Sequence, residues 1–259
     1  MSASISVRPL TDLDEFGRCE ALQVEVWGYE PLDTVPKRMF LVAQRAGGQV
    51  LGAFDSTLDG GAENLENMVG FAMSLPGYRN GHAYLHSHML AVRASYRNYG
   101  IGRTLKFAQR DDALARGIEL IEWTFDPLEI KNAYLNIEKL GAIARRYSPN
   151  IYGMTTSDLQ AGLPTDRLYA EWWLRSKRVE AVVVGNMLPR IEPVTTVTVQ
   201  GEIYDWKAKG DPRARELQER NRDLLEAAFA KGLAVTGYAR GENGDGAFEL
   251  ARWDEAFKY

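Results

Sequence analysis

Met89-Leu90-Ala91-Val92-Arg93-Ala94-Ser95-Tyr96-Arg97-Asn98-Tyr99-Gly100-Ile101-Gly102 is a run in which an apolar strand gives way to a short linker and two glycines. Arg103-Thr104-Leu105-Lys106-Phe107-Ala108-Gln109-Arg110-Asp111-Asp112-Ala113-Leu114-Ala115-Arg116-Gly117 then reads as a helix with a glycine stop and cationic residues near its end. The glycines therefore sit where a strand feeds a helix N-terminus. Glycine lets the backbone turn sharply and approach a ligand, while unpaired amides and the positive end of the helix dipole face outward. Such a nest suits a pyrophosphate.

Upstream, Ile5 to Arg8 alternate as a half-buried strand, and Thr11 or Asp12 caps a helix carrying Leu13, Phe16, Cys19 or Glu20, Leu22 and Val26 up to Gly28. Phe40-Leu41-Val42-Ala43 and Val50-Leu51-Gly52-Ala53-Phe54 flank Gly47-Gly48 and read as a hairpin. A third strand is expected at Met68 to Met73, a turn at Pro76-Gly77, and a fourth strand from about Ala83 to Val92. Downstream come a strand from Ile118 to Phe125, a helix from Ile130 to Leu140 and a strand from Ala142 to Tyr147. The texture changes near Gly153, with a loop at residues 159–166, so a domain at residues 1–153 and a smaller α+β module at 154–259 are expected. In that module a helix is read at Tyr169 to Ser176, strands at Val179 to Val184 and Val194 to Val199, a helix from Asp211 to Lys231, and strands at Leu233 to Tyr238 and Phe248 to Trp253.

The run from Leu90 to Gly102, Arg97-x-x-Gly100-x-Gly102 after a strand ending Leu-x-Val, resembles the acetyl-coenzyme A signature of the GNAT acyltransferase superfamily. The order of elements over roughly residues 5 to 152 is similar too. The whole chain looks like a bacterial group of predicted GNAT proteins with a long C-terminal extension, through His86-Ser87-His88-Met89 and Tyr147-Ser148-Pro149-Asn150-Ile151-Tyr152-Gly153. The resemblance implies an α/β (α+β) GNAT fold with a mixed, splayed central sheet flanked by helices. It also implies acetyl-coenzyme A or another acyl-coenzyme A as co-substrate. Arg97, Asn98, Tyr99, Gly100, Ile101 and Gly102, with Arg103, would then hold the pyrophosphate. Leu90, Ala91 and Val92 would border the thioester and polarise its carbonyl through their backbone.

Asn132-Ala133-Tyr134-Leu135-Asn136-Ile137-Glu138-Lys139-Leu140-Gly141-Ala142 looks like the helix that follows in the family, with Asn132 and Asn136 placed to contact the pantetheine arm. It departs from the family where a tyrosine often protonates the departing thiolate, because that position is Ile137. Tyr134, Tyr147 and Tyr152 are the substitutes at hand, Tyr134 first.

Acyl transfer to an amine needs a base near neutral pH, and histidine suits it. His82, His86 and His88 lie in or beside the fourth strand, with His86 and His88 on one face, so His88 is the first candidate base and His86 the second. Each is equally readable as a strand histidine satisfying a buried hydrogen bond. A metal on His86-x-His88 lacks further ligands, and none is expected. Glu119, Glu122 and Asp126 can relay a proton or lie solvated; Arg145 and Arg146 are candidate carboxylate binders on the acceptor or on a succinyl-type donor, or surface charges.

A length of 259 residues, a net charge of -4 and one cysteine describe a globular protein with no disulfide and no basic footprint for nucleic acid. With no leader-like or membrane-length apolar run, a cytoplasmic setting is expected. The leading expectation is an acyl-coenzyme A dependent N-acyltransferase, acetyl first, acting by direct attack on a small-molecule amine such as an amino acid. A succinyl-type enzyme and a non-catalytic coenzyme A-binding regulatory module are the alternatives. The C-terminal segment is expected either to complete the acceptor pocket or to form a homodimer surface.

Overall fold

A computed structural model describes residues 4–153, 160–185 and 187–253. The chain separates into two compact units, one up to Ile121 and one from Glu122.

The first unit runs β1 (Ile5–Pro9), α1 (Leu13–Trp27), α2 (Lys37–Arg45), β2 (Gln49–Asp55), β3 (Met68–Arg79), β4 (His82–Val92) and α3 (Ile101–Ala115). The strands pair in the order β1-β2-β3-β4, each antiparallel to the next. Asp12 caps α1 by accepting from the Asp14 and Glu15 amides, and Glu15 completes the capping box. One sheet face buries Phe16, Cys19, Leu22, Phe40, Phe71, Met73, Met89 and Ala91 with α1 and α2; the other buries Leu51, Ala53, Ala72, Ile101 and Leu105 with α3.

Two expectations fail here. Phe40 to Ala43 is helical rather than a strand: α2 buries Phe40 and Ala43 one turn apart and leaves Met39 and Val42 exposed. Phe40 packs its ring on Phe16 and Phe71, at 6.3 and 5.7 Å. Gly47-Gly48 is thus a helix-to-strand joint, and Gly48 is needed because a Cβ there would lie 2.1 Å from the Ser74 carbonyl oxygen. Nor does Pro76-Gly77 turn the chain. The strand continues to Arg79 and turns at Asn80-Gly81, both at positive φ (49° and 84°), the two-residue hairpin geometry that matches strand twist.

The second unit contains β5 (Leu120–Phe125, from its third residue), α4 (Ile130–Tyr134) continued by a π-helical turn (Leu135–Lys139), β6 (Ile143–Ser148), β7 (Arg167–Trp173), α5 (Lys177–Gly185), β8 (Thr195–Val199), α6 (Ile203–Lys209), α7 (Arg213–Ala230), β9 (Leu233–Arg240) and β10 (Gly246–Arg252). Its strands lie in the order β5-β7-β6-β9-β10-β8, with α7 against β6, β8 and β9. The expected mixed α/β class, a sheet flanked by helices, is the class observed.

Two local expectations are exchanged. Tyr169 to Ser176 is largely the strand β7, which pairs antiparallel with β6, and Val179 to Val184 is the helix α5. Packing overrides propensity in both: Val179 and Val182 are buried at helical spacing while Val184 is 89% exposed. The start of the loop expected at 159–166, and the first residues of the module expected from 154, lie outside the described residues.

Candidate functional site

After β4, Ala94–Tyr96 forms a 3-10 turn whose end is tied by the Arg97 amide to the Ala94 carbonyl at 3.2 Å. The Tyr96 phenol donates to Asp55 Oδ2 at 2.9 Å and anchors the turn to β2. Thr57, through its hydroxyl and its amide, and then Tyr96 hold the Asp55 carboxyl below the usual carboxylate range. Asn98 (φ 70°) and Gly100 (φ 79°) are both left-handed, which swings the chain into α3 with Gly100 as N-cap.

The first helical bond runs from the Thr104 amide to the Gly100 carbonyl, so the preceding amides have no acceptor within the helix. Among the described residues no side chain caps α3, and its first turn carries no acidic residue, in contrast with α1. Arg97, Asn98, Tyr99 and Gly100 are exposed, while Ile101 is buried and pins the helix start to the sheet. Arg103 lies over the Phe107 ring at 4.4 Å, beside the same turn. A helix start with no acidic residue in its first turn, and with Arg97 and Arg103 beside it, fits a pyrophosphate.

β4 carries a register step. From the turn to Ser74↔Ser87 the hairpin is in register; from Met73↔Met89 to Gly70↔Val92 it is shifted by one, so His88 is the extra residue of a β-bulge. The bulge changes which face each side chain takes. Ser87 meets α3, Met89 and Ala91 join the α1/α2 core, and Leu90 and Val92 pack toward α3. Leu90 and Val92 thus share one face of β4 and Ala91 takes the other. His86 and His88 do sit together, ring centroids 6.2 Å apart. Although part of the His88 side chain is exposed, the surrounding protein desolvates its ring and holds its pKa below the ordinary value of 6.5.

In the second unit, Asn132 is exposed, whereas Asn136 is buried inside the π-turn. Asn136 accepts from Trp123 Nε1 at 3.3 Å, and its own Nδ2 has no hydrogen-bond partner among the described residues. Ile137 is fully buried. Tyr134 is half-buried, with Lys139 Nζ and the Arg240 guanidinium each 5.4 Å from its ring. Tyr147 donates to Asp166 Oδ2 at 2.7 Å; burial first, and then that carboxylate, push its phenol pKa up, so it holds its proton too tightly to serve as an acid. The Tyr152 phenol is 2.8 Å from Thr124 Oγ1 on β5.

Arg145 and Arg146 converge on the buried Glu171, and Arg146 also donates to the buried Glu122 at 2.7 Å. Burial works against the Arg146 cation, and Glu122 and Glu171 outweigh it. Two carboxylates thus balance two guanidiniums. Glu119 is exposed and Asp126 is buried against Lys207. The sequence reading passed over Glu171, Ser87, Lys106 and Gln109. For Ser87 and Glu171 the available signal was a polar residue set inside a strand, whereas Lys106 and Gln109 lie on α3. Cys19 is buried, and burial raises its thiol pKa. Among the described residues no group of three or more acidic, histidine or cysteine side chains could hold a metal ion, and no helix is long and apolar enough to cross a membrane.

A family model described as the acetyltransferase (GNAT) family matches residues 22–135. Among solved structures, Arabidopsis thaliana NAA60 in complex with acetyl-CoA is 14% identical, covers 67% of this chain and 100% of its own, and superposes with a TM-score of 0.54. The ribosomal-protein-S18-alanine N-acetyltransferase of Escherichia coli is 16% identical over 67% of this chain and 96% of its own, TM-score 0.50. A Streptococcus mutans protein is 17% identical over 66% and 99%, also at 0.50. At these identities the likeness is one of fold. No curated protein sequence matches the chain.

Proposed function

We propose that residues 22–135, which the acetyltransferase (GNAT) family model matches, serve a protein that transfers an acyl group, acetyl first, from acyl-coenzyme A to the amine of a small molecule such as an amino acid. The uncapped start of α3, entered through left-handed Gly100 at the end of the turn that follows β4, carries this reading. Arg97 to Arg103 would hold the pyrophosphate, and Asn132 and Asn136 the pantetheine. We place the reaction in the cytoplasm, with residues 1–153 as the acyl-coenzyme A domain and neither nucleic acid, membrane nor metal as partner.

Direct attack is the mechanism proposed. The neutral amine adds to the thioester carbonyl, the C–S bond breaks and coenzyme A leaves with its electron pair as the thiolate, the new C–N bond remains as the amide, and the ammonium proton passes to His88. Holding both substrates together supplies the proximity that a bimolecular reaction lacks. Backbone amides of β4 beside the bulge would polarise the carbonyl.

The test is thiol release measured over acetyl-, propionyl- and succinyl-coenzyme A with amino acids, diamines and a peptide with a free N-terminus. Acyl-dependent release with a small amine is expected. Coenzyme A binding without turnover across the panel would favour a regulatory module instead, and preference for the peptide would move the acceptor class. Preference for the succinyl donor would bring Arg145 and Arg146 into the donor site. Their in-chain pairing with Glu122 and Glu171 favours the uncharged acetyl group.

Gly100→Val supplies a separate check. A Cβ at Gly100 meets nothing within 4 Å, so the cost is the left-handed φ alone, about 1–2 kcal/mol. Donor KM should rise at least tenfold, with a loss of only a few degrees in Tm. Unchanged coenzyme A affinity by calorimetry in a folded variant would remove this loop from the binding site.

A further inference from the structure

The helix α3 buries a lysine against the sheet. Lys106 is 4% exposed, and its Nζ donates to Ser87 Oγ at 2.8 Å. Ser87 in turn donates to Gln109 Oε1 at 3.0 Å. On the neighbouring strand, Ser74 pairs in register with Ser87 and donates to Gln49 Oε1, while Gln49 Nε2 reaches the Gln109 carbonyl and Asp112 Oδ2. This polar network inside an apolar interface ends at the register step: Ser74↔Ser87 is the last pair set by the Asn80-Gly81 turn, and Met73↔Met89 is the first pair of the shifted ladder.

The contacts can be made in only one register. On β3 the faces alternate without interruption, Ser74 toward α3, Met73 toward α1 and α2, Ala72 toward α3. On β4 both Ser87 and Leu90 face α3, although they are three residues apart, so an extra residue must lie between them. If the ladder from Gly70↔Val92 continued without a step, Ser74 would oppose His88, and Ser87 would rotate away from Lys106. If the turn's register continued instead, Met89 and Ala91 would leave the α1/α2 core. Separation from Ser87 would cost the buried Lys106 amine its 2.8 Å hydrogen bond to that hydroxyl, so Lys106 penalises the slipped ladder.

We infer that Lys106, acting through Ser87, is a positioning residue that fixes the β-bulge at His88 and thereby the backbone and imidazole of β4 at the acyl-transfer site. The last part rests on the acyltransferase reading above; the lock itself does not. Burial also drives the Lys106 pKa well below its ordinary value, so the residue is kept at a cost to folding. A methionine of similar length would pack there without that penalty.

Lys106→Met and Ser87→Ala, each in the full chain, separate this role from simple packing. Lys106→Met should be at least as stable as the parent to heat. Hydrogen exchange in the segment spanning His86 to Val92 should nevertheless accelerate tenfold or more in both variants. The kcat of acyl transfer should fall about tenfold while donor KM stays within twofold, because the bulge serves the acyl end and not the pyrophosphate. The double variant should be no worse than the worse single one, since both remove one device. Unchanged exchange at the bulge overturns the lock, and undiminished kcat despite faster exchange overturns its part in the reaction. Should Lys106→Met fail to fold, Ser87→Ala carries both readouts by itself. A parent protein with no acyl transfer would sink the reaction reading while leaving the exchange measurement to judge the lock.

Discussion

At pH 7, Lys207→Met is expected to lower the free energy of unfolding by about 3–5 kcal/mol, the usual cost of removing one partner from a buried ion pair. Lys207, at 6% side-chain exposure, reaches Asp126 Oδ2 at 3.1 Å and Glu129 Oε1 at 3.0 Å. Desolvation alone would lower its pKa, but Asp126 and Glu129 outweigh burial and raise it. A raised folded-state value means that this stabilisation is complete below the unfolded lysine value of 10.5 and is lost as pH climbs through the folded one. The methionine variant leaves two carboxylates facing each other with little solvent. Adding Asp126→Asn should therefore restore part of the loss at pH 7. Thermal melts should show a fall of roughly 10 °C at pH 7. No recovery on adding Asp126→Asn would contradict this account and point to lost packing of the aliphatic stem.

The sequence was most readable where local chemistry and long-range packing agree. The passage from β4 to α3 is such a place: strand periodicity, two glycines and an uncapped helix start all state the same geometry, and Gly100 and Asn98 adopt the positive φ it requires. Phe40 to Ala43 went the other way because a short apolar run has no period of its own. Only the rings of Phe16 and Phe71 select the helical face. The valines of α5 and the tryptophans of β7 were misread for the same reason, since propensity yields to which side chains a sheet can bury.

Parts of the site were legible by type and hidden in arrangement. His86 and His88 read correctly as neighbours, but a period of two cannot show that His88 is an inserted residue, because a bulge is visible only against the partner strand. Lys106 read only as one residue of the helix after the glycines. Its burial follows from Ser74, Ser87 and Gln49, which come together only once β2, β3 and β4 are paired. Arg145 and Arg146 read as waiting for a carboxylate, whereas Glu171 lies more than twenty residues further along the chain and meets them across the β6-β7 ladder.

The largest kinetic effect should come from His88→Ala, with kcat for acyl transfer falling by about 10²–10⁴-fold, the usual contribution of a positioned base. Desolvation lowers the His88 pKa below 6.5, so the imidazole is neutral at pH 7 and able to take a proton. The acid limb of the kcat/KM profile should accordingly have its midpoint below 6.5, and the variant should lose that limb along with the rate. Stability carries an independent signature. A histidine whose folded pKa is depressed binds fewer protons in the folded than in the unfolded state, so the parent loses stability as pH falls from about 6.5 through the folded value. His88→Ala removes that slope, and the variant should gain relative to the parent at pH 5.5 in denaturant titrations. His88→Gln, which keeps the size and hydrogen bonding without the base, should be as slow as alanine. Full activity in the glutamine variant would assign His88 a packing role at the bulge and hand the proton to His86, whose ring is 6.2 Å away. The same measurements on His86→Gln would then decide between the two rings, because only the base can carry both the acid limb and the rate.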